Sequence, residues 1–279
     1  MREWGPADGV PLLQLHALGP AASGALVGLM AAPLVERGVR IVAPDGPGFG
    51  GSEPLPDPDA YAVPELATRT WALGDALGLE RVLLAGHSWG GAIACHMAAA
   101  APARVRALVL LDSGHLDYRE VPGVDLDASR EETAAQAEAA RWRLAGREAL
   151  EEMLEIEDPA RRERLVGALL EGLQDDGQGG LVGATPGDVR GAVLFHLARS
   201  LQSETWARIA AAGIPTLLLL ATEPAAAAEL NRAGGARLAG AIPTADVVHV
   251  EGATHGMMTD LEDALGEVVA DWLVARDLI

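Results

Sequence analysis

The residues with the plainest chemical content are Gly86-His87-Ser88-Trp89-Gly90-Gly91, a Gly-x-Ser-x-Gly turn. An apolar run, Arg81 to Gly86, precedes it and an Ala-rich run, Trp89 to Ala101, follows, so Ser88 falls on a sharp strand-to-helix turn. Gly86 and Gly90 let strand and helix approach closely, and the strained backbone pushes the Ser88 hydroxyl outward as a nucleophile. A serine hydroxyl attacks poorly until a base takes its proton, so one of the seven histidines must reach it in the fold. A carboxylate must then orient that imidazole, and backbone N–H groups must hold the anion that forms on an attacked carbonyl.

His255 is the preferred base, because it follows a strand in the loop Glu251-Gly252-Ala253-Thr254-His255-Gly256. His96 and His16 read as structural, His249 lies within a strand, and His115 and His196 could at most touch substrate. Two carboxylates stand at strand ends: Glu223, beyond Ile214 to Ala221, and Asp112, beyond Ala107 to Leu111. Glu223 is preferred over Asp112 as the acid. Asp112 could instead brace the loop it enters, and Glu223 could be a solvated carboxylate at a helix start.

The elements that must position these groups alternate. Apolar runs at Val10 to His16, Val39 to Ala43, Arg81 to Gly86, Ala107 to Leu111, Ile214 to Ala221 and Asp246 to Val250 read as strands. Helical patterns separate them, at about Ala22 to Arg37, Val63 to Leu77, Trp89 to Ala101 and Leu261 to Arg276, which implies a parallel sheet covered on both faces. From Ser113 to Trp206 the rhythm breaks into charge-rich helical spacing, with Leu150, Met153, Leu154, then Leu165, Leu169 and Leu173. No strand is visible there, so 113–206 reads as an all-helical cap on a core of 1–112 and 207–279, with Asp175-Asp176-Gly177-Gln178-Gly179-Gly180 either a hinge for a lid or a surface loop.

Charge removes several function classes. With 40 acidic against 21 basic residues the formal charge is −19, which repels nucleic acid and anionic lipid surfaces. All the basic residues are arginine, so no Schiff-base lysine exists. The single cysteine, Cys95, leaves no internal disulfide and no cysteine-rich metal cage. Neither a leader-like apolar run nor a membrane-spanning stretch is seen, so the expected location is the cytoplasm. The partners expected are a small-molecule substrate and at most a second copy in a homodimer, with no metal and no organic cofactor.

Taken together, His16-Ala17-Leu18-Gly19, Asp45-Gly46-Pro47-Gly48-Phe49-Gly50-Gly51-Ser52, the serine turn and Gly252-Ala253-Thr254-His255 resemble the α/β-hydrolase superfamily in order and spacing, over nearly the whole chain. The resemblance implies a mostly parallel, doubly wound sheet of about six or seven strands, its first strand missing, with a cap inserted after the strand ending near Leu111. It implies His255 as the catalytic histidine and the N–H groups of Trp89 and Leu18 as the anion hole, Ala17 standing where the family usually has glycine. It also disfavours dehalogenase and epoxide-hydrolase chemistry, since the resembling enzymes carry aspartate in place of Ser88.

The chemistry expected is acyl transfer on an ester, lactone or thioester through an acyl-enzyme on Ser88, as in a carboxylesterase or lactonase. A carbon–carbon bond hydrolase, a cofactor-free perhydrolase or haloperoxidase-like enzyme, and a non-catalytic small-molecule receptor remain as rivals on the same fold. Trp142, His196 and Met257 are candidate substrate contacts, with Phe195, Trp206 and Met258 beside them, although packing in a helical core is the favoured role for most of the six.

Overall fold

The computed structural model describes residues 1–19 and 21–279. The chain opens with β1 (Arg2–Trp4) and β2 (Val10–Leu15) and passes through a 3-10 stretch, Gly24–Met30, into α1 (Ala31–Glu36). It continues as β3 (Val39–Ala43), α2 (Val63–Ala76), β4 (Val82–His87), α3 (Trp89–Ala100) and β5 (Val105–Leu111). Then come α4 (Arg130–Ala139), β6 (Arg143–Leu144), α5 (Arg147–Leu154), α6 (Pro159–Leu170), β7 (Leu173–Asp175), β8 (Leu181–Gly183), α7 (Gly187–Arg199) and α8 (Ser203–Ala211). The chain finishes as β9 (Thr216–Ala221), α9 (Ala225–Ala241), β10 (Ala245–Val250), α10 (Met257–Leu261) and α11 (Asp263–Val274).

Seven strands form the main sheet in the order β1-β3-β2-β4-β5-β9-β10, and all its pairings are parallel except that of β1 with β3. Successive residues of a strand point to opposite faces, and both faces here are apolar. Leu84, Leu108, Leu110, Leu218 and Leu220 enter one core with α2 and α3. Leu83, Val109, Leu111, Leu217 and Leu219 enter the other with α1, α10 and α11. This is the doubly wound sheet that the alternation of elements predicts. The expected helix over Ala22 to Arg37 is instead a 3-10 stretch, begun by Ser23 accepting the N–H of Ala25, followed by one short α-helix.

The segment between β5 and β9 corrects a second expectation. It is not all helical: β6, β8 and β7 make an antiparallel three-stranded sheet. Strands of two or three residues are too short to show alternation, and Leu173, taken as part of a helical spacing, lies in β7. The proposed hinge is the turn of the β7–β8 hairpin, where Asp175 and Asp176 accept the N–H groups of Gly177, Gln178 and Gly180. α6 is tied to the end of the chain through Arg161 and Arg164, which both reach the buried carboxylate of Glu262.

Close approach of backbone places the serine turn. A Cβ on Gly86 would strike the backbone of Gly90, one on Gly91 would strike the Ser113 hydroxyl, and one on Gly90 would lie 2.5 Å from the Leu15 carbonyl oxygen and 2.6 Å from that of His16. The loops after β2 and β3 are joined by Asp45, after β3, which accepts the N–H of Gly24 at 2.7 Å and of Gly51 at 3.3 Å. Burial alone would raise its pKa, but those N–H groups and the nearby amino terminus outweigh burial and hold it below the ordinary carboxylate range.

Gly90→Ala is expected to lower stability by about 2 kcal/mol or more, since the obstacle is backbone that cannot rotate away, as measured by urea unfolding. Asp45→Ala is expected to cost about 3 kcal/mol near neutral pH, from two hydrogen bonds to a charged acceptor. Because folding depresses the Asp45 pKa, its contribution is present above the unfolded value of about 4 and is lost as pH falls through the lower folded value. The stability gap between wild type and variant, followed by unfolding curves at stepped pH, should therefore shrink on acidification. A gap constant with pH would show that the Asp45 charge does not matter.

Candidate active site

Ser88 joins β4 to α3 with φ 53° and ψ −118°, a left-handed conformation unusual for a residue with a side chain. It is held there because its N–H donates to the Leu111 carbonyl at 3.1 Å, on the neighbouring strand, while its own carbonyl starts α3 by accepting from Gly91 and Ala92. The strain stands on hydrogen bonds at both ends of the turn. Trp89 is the first residue of α3, so its N–H lacks an intrahelical acceptor and projects with the positive end of the helix.

His255 reaches the serine from the loop after β10. Its Nε2 accepts from the Ser88 hydroxyl at 2.9 Å, and its Nδ1–H donates to Asp112 Oδ2 at 2.6 Å. Asp112 continues β5, which lies between β4 and β9, so the carboxylate stands next to the serine strand. It also has positive φ, 44°, with its N–H on the Leu219 carbonyl. Its Oδ1 accepts from the Ala221 N–H at 2.9 Å and from Asn231 Nδ2 at 2.8 Å. Burial would raise the Asp112 pKa, but the His255 hydrogen bond, the Ala221 N–H and the charge the His255 ring can carry outweigh it, so the carboxyl sits below its usual range.

The preference for Glu223 over Asp112 is therefore overturned in geometry. Glu223 contributes its backbone N–H to the Ala253 carbonyl at 2.9 Å, bracing the histidine loop, while its side chain is exposed on the rim of the cavity. Both residues follow adjacent strands, and sequence spacing cannot tell which carboxylate the loop after β10 will meet.

Three other histidines act as struts. His87 donates Nε2–H to the His255 carbonyl at 2.7 Å, and burial, with the nearby His255 ring, lowers its pKa to about 4, so it is neutral. His16 accepts the Gly46 N–H at Nε2 and donates from Nδ1 to the Ala17 carbonyl, each at 2.8 Å, and packs against Phe49 and Trp89. His115 binds Asn231 Oδ1 at 3.0 Å. Burial lowers the pKa of both His16 and His115. The Thr254 N–H and hydroxyl bind Asp260 at 2.8 and 2.7 Å, closing the histidine loop onto α10.

A cavity of about 320 Å³ opens on Ser88, Asp112 and His255. Its apolar wall comes from Leu116, Tyr118 and Val121 after β5, Leu197 on α7, and Ala227 and Leu230 on α9. Trp89 lines it; Leu18 is half-buried in the loop after β2, outside the lining, with only its backbone available as a second donor.

The expected substrate contacts Trp142, His196 and Met257 are corrected: none borders this cavity. Trp142 and Met257 pack into the core on the other face of the sheet, with Met258. His196 is half-buried away from this cavity, its Nε2–H on the Pro58 carbonyl at 3.1 Å. Trp206 is buried with its indole N–H on the Gly114 carbonyl at 2.9 Å, and Phe195 stacks under Arg199. Cys95 is buried, and burial pushes its thiol up to about 12, which leaves it inert. Asn231 and Tyr118 were not foreseen. Nothing in the Ala-rich stretch around Asn231 signals a polar partner more than a hundred residues away.

The family model for the alpha/beta hydrolase fold matches residues 10–148. A 2-hydroxymuconate semialdehyde hydrolase of Pseudomonas sp. (strain CF600) is 34% identical over 117 residues, 42% of this chain and 41% of the relative, so the likeness spans about two fifths of that protein. Among solved structures, the thioesterase domain from the curacin biosynthetic pathway superposes with a TM-score of 0.71 at 19% identity, covering 96% of this chain and 93% of that one. A carboxylesterase structure from the ammonia-oxidizing thaumarchaeon Nitrososphaera gargenis gives 0.72 at 16% identity, covering 99% and 94%. No helix among the described residues is long and apolar enough to cross a membrane. The sheet order, the serine turn and these likenesses agree, and the chain belongs to the α/β-hydrolase superfamily.

Proposed function

We propose that the protein is a serine hydrolase that cleaves an ester or thioester of a small apolar acid, with Ser88 as nucleophile, His255 as base and Asp112 as the orienting acid. The unbroken hydrogen-bond chain Ser88–His255–Asp112 carries this reading. In the first step the Ser88 oxygen bonds to the substrate carbonyl carbon while its proton passes to His255 Nε2. Asp112 stays ionised and stabilises the imidazolium, and the N–H groups assigned to the carbonyl oxygen's negative charge are that of Trp89, at the start of α3, and that of Leu18, in the loop after β2. Collapse returns the proton to the leaving alcohol or thiol and leaves an acyl-Ser88. Water, deprotonated by His255, then releases the acid and restores the hydroxyl.

The apolar wall supports an aliphatic or aromatic acyl group, and the two solved structures of the same fold are named as a thioesterase domain and a carboxylesterase. A second reading is favoured by the 2-hydroxymuconate semialdehyde hydrolase relative, whose name puts carbon–carbon bond cleavage within reach of a similar chain. The two separate on substrate: turnover of nitrophenyl esters without loss of a ring-cleavage dienoate's absorbance supports the first, and the reverse supports the second.

Folded wild-type protein should label with a fluorophosphonate probe and Ser88→Ala should not; an unlabelled wild type rules the nucleophile out. Asp112→Asn should lower kcat by about three to four orders of magnitude, as loss of the orienting acid does in a Ser-His-Asp site, whereas Glu223→Gln should change it by less than about tenfold. Equal losses in steady-state ester assays would remove Asp112 from its assigned role.

A further inference from the structure

The Asp112 carboxylate is held from behind by two side chains with no part in the hydrolytic steps. Asn231 Nδ2 faces two acceptors, Asp112 Oδ1 at 2.8 Å and the Ala221 carbonyl at 3.1 Å, so its amide orientation is fixed and its Oδ1 must face His115. An amide oxygen only accepts, so His115 Nε2, 3.0 Å away, must carry a hydrogen. The imidazole is therefore in its Nε2–H form, and its Nδ1 is buried without a partner. All three residues are buried, with Asp112 at 8%, Asn231 at 6% and His115 at 2% exposure.

We infer that Asn231, steadied by His115, is a positioning residue that fixes the plane and the charge of Asp112, an inference that rests on the acyl-transfer reading above. With Oδ1 occupied by the Ala221 and Asn231 donors, Oδ2 alone faces His255, so one lone-pair direction serves the base. The groups that can influence Asp112 electrostatically are His255 beyond β10, His115 beyond β5, His87 at the end of β4 and Glu223 on the cavity rim. Since burial keeps His115 and His87 neutral, the Asp112 charge is reserved for His255.

The test compares wild type with Asn231→Leu, His115→Leu and His115→Gln, the last keeping a side-chain N–H where Nε2 stands. In the substrate-free enzyme, proton NMR reads the far-downfield signal of the His255 Nδ1–H bound to Asp112. It should be present in wild type and His115→Gln, and shifted or lost in Asn231→Leu and His115→Leu. With a nitrophenyl butyrate ester, Asn231→Leu should lose about a hundredfold in kcat with a much smaller change in KM, since the base is misplaced while the apolar residues of the cavity wall are unchanged. The acidic limb of its pH profile should move to higher pH, because an undispersed Asp112 charge holds a proton on the Asp112–His255 pair more tightly.

An Asn231→Leu protein with the wild-type signal, kcat and acidic limb overturns the inference, as does a His115→Gln protein as impaired as His115→Leu. If Asn231→Leu does not fold, the two His115 variants decide by the same signal. A wild type that shows the downfield proton but neither turns over esters nor labels with fluorophosphonate defeats the acyl-transfer reading alone.

Discussion

The close seating of α3 on the ends of β2 and β4 is the constraint from which the rest of the site follows. Gly86, Gly90 and Gly91 leave no room for a Cβ against the neighbouring backbone and the Ser113 hydroxyl, so the helix can start directly beyond the strand. Ser88 is then forced into positive φ and presented above the sheet, with the first N–H of the helix beside it. The same contact fixes the loop carrying Ala17 and Leu18, because Gly90 packs on the carbonyls of Leu15 and His16.

Around that seat the protein uses neutral imidazoles as structural pins. His16 ties two loops to each other, His87 ties the serine turn to the backbone of His255, and His115 steadies the amide of Asn231. Burial lowers the pKa of each, which costs little for a group used only as hydrogen-bond donor and acceptor. Asp112 is the opposite case. It is a buried carboxylate kept ionised because N–H donors and an imidazole face it, and an anion so placed can orient His255 and balance the charge it takes up.

The segment between β5 and β9 serves two places at once. Its beginning and α7 wall the cavity, while α5, α6 and the small sheet pack on the opposite core and are clasped to Glu262 by Arg161 and Arg164. This division is why Trp142, Leu150 and Leu165 are core residues and not substrate contacts. Helical spacing reveals an apolar stripe but not which of two cores the stripe will meet.

By itself the sequence determined the alternating strands and helices, the position of Ser88 on a strand-to-helix turn and the position of His255 in the loop after the last strand, because these depend on local signals: β-rich runs, glycines that permit a strained turn, a histidine in a loop just after a strand. Only the tertiary structure decided which of Asp112 and Glu223 meets the His255 ring. The two follow neighbouring strands, and the outcome depends on β5 lying between β4 and β9 and on how the loop after β10 folds back. Asn231 is the extreme case: its place beside Asp112 comes from a contact between residues 119 positions apart, and a lone polar residue on an alanine-rich helix leaves no periodic trace of such a partner. Chemistry that rests on a local turn can be read along the chain, whereas chemistry that rests on a shared buried charge is settled by which elements the sheet makes neighbours.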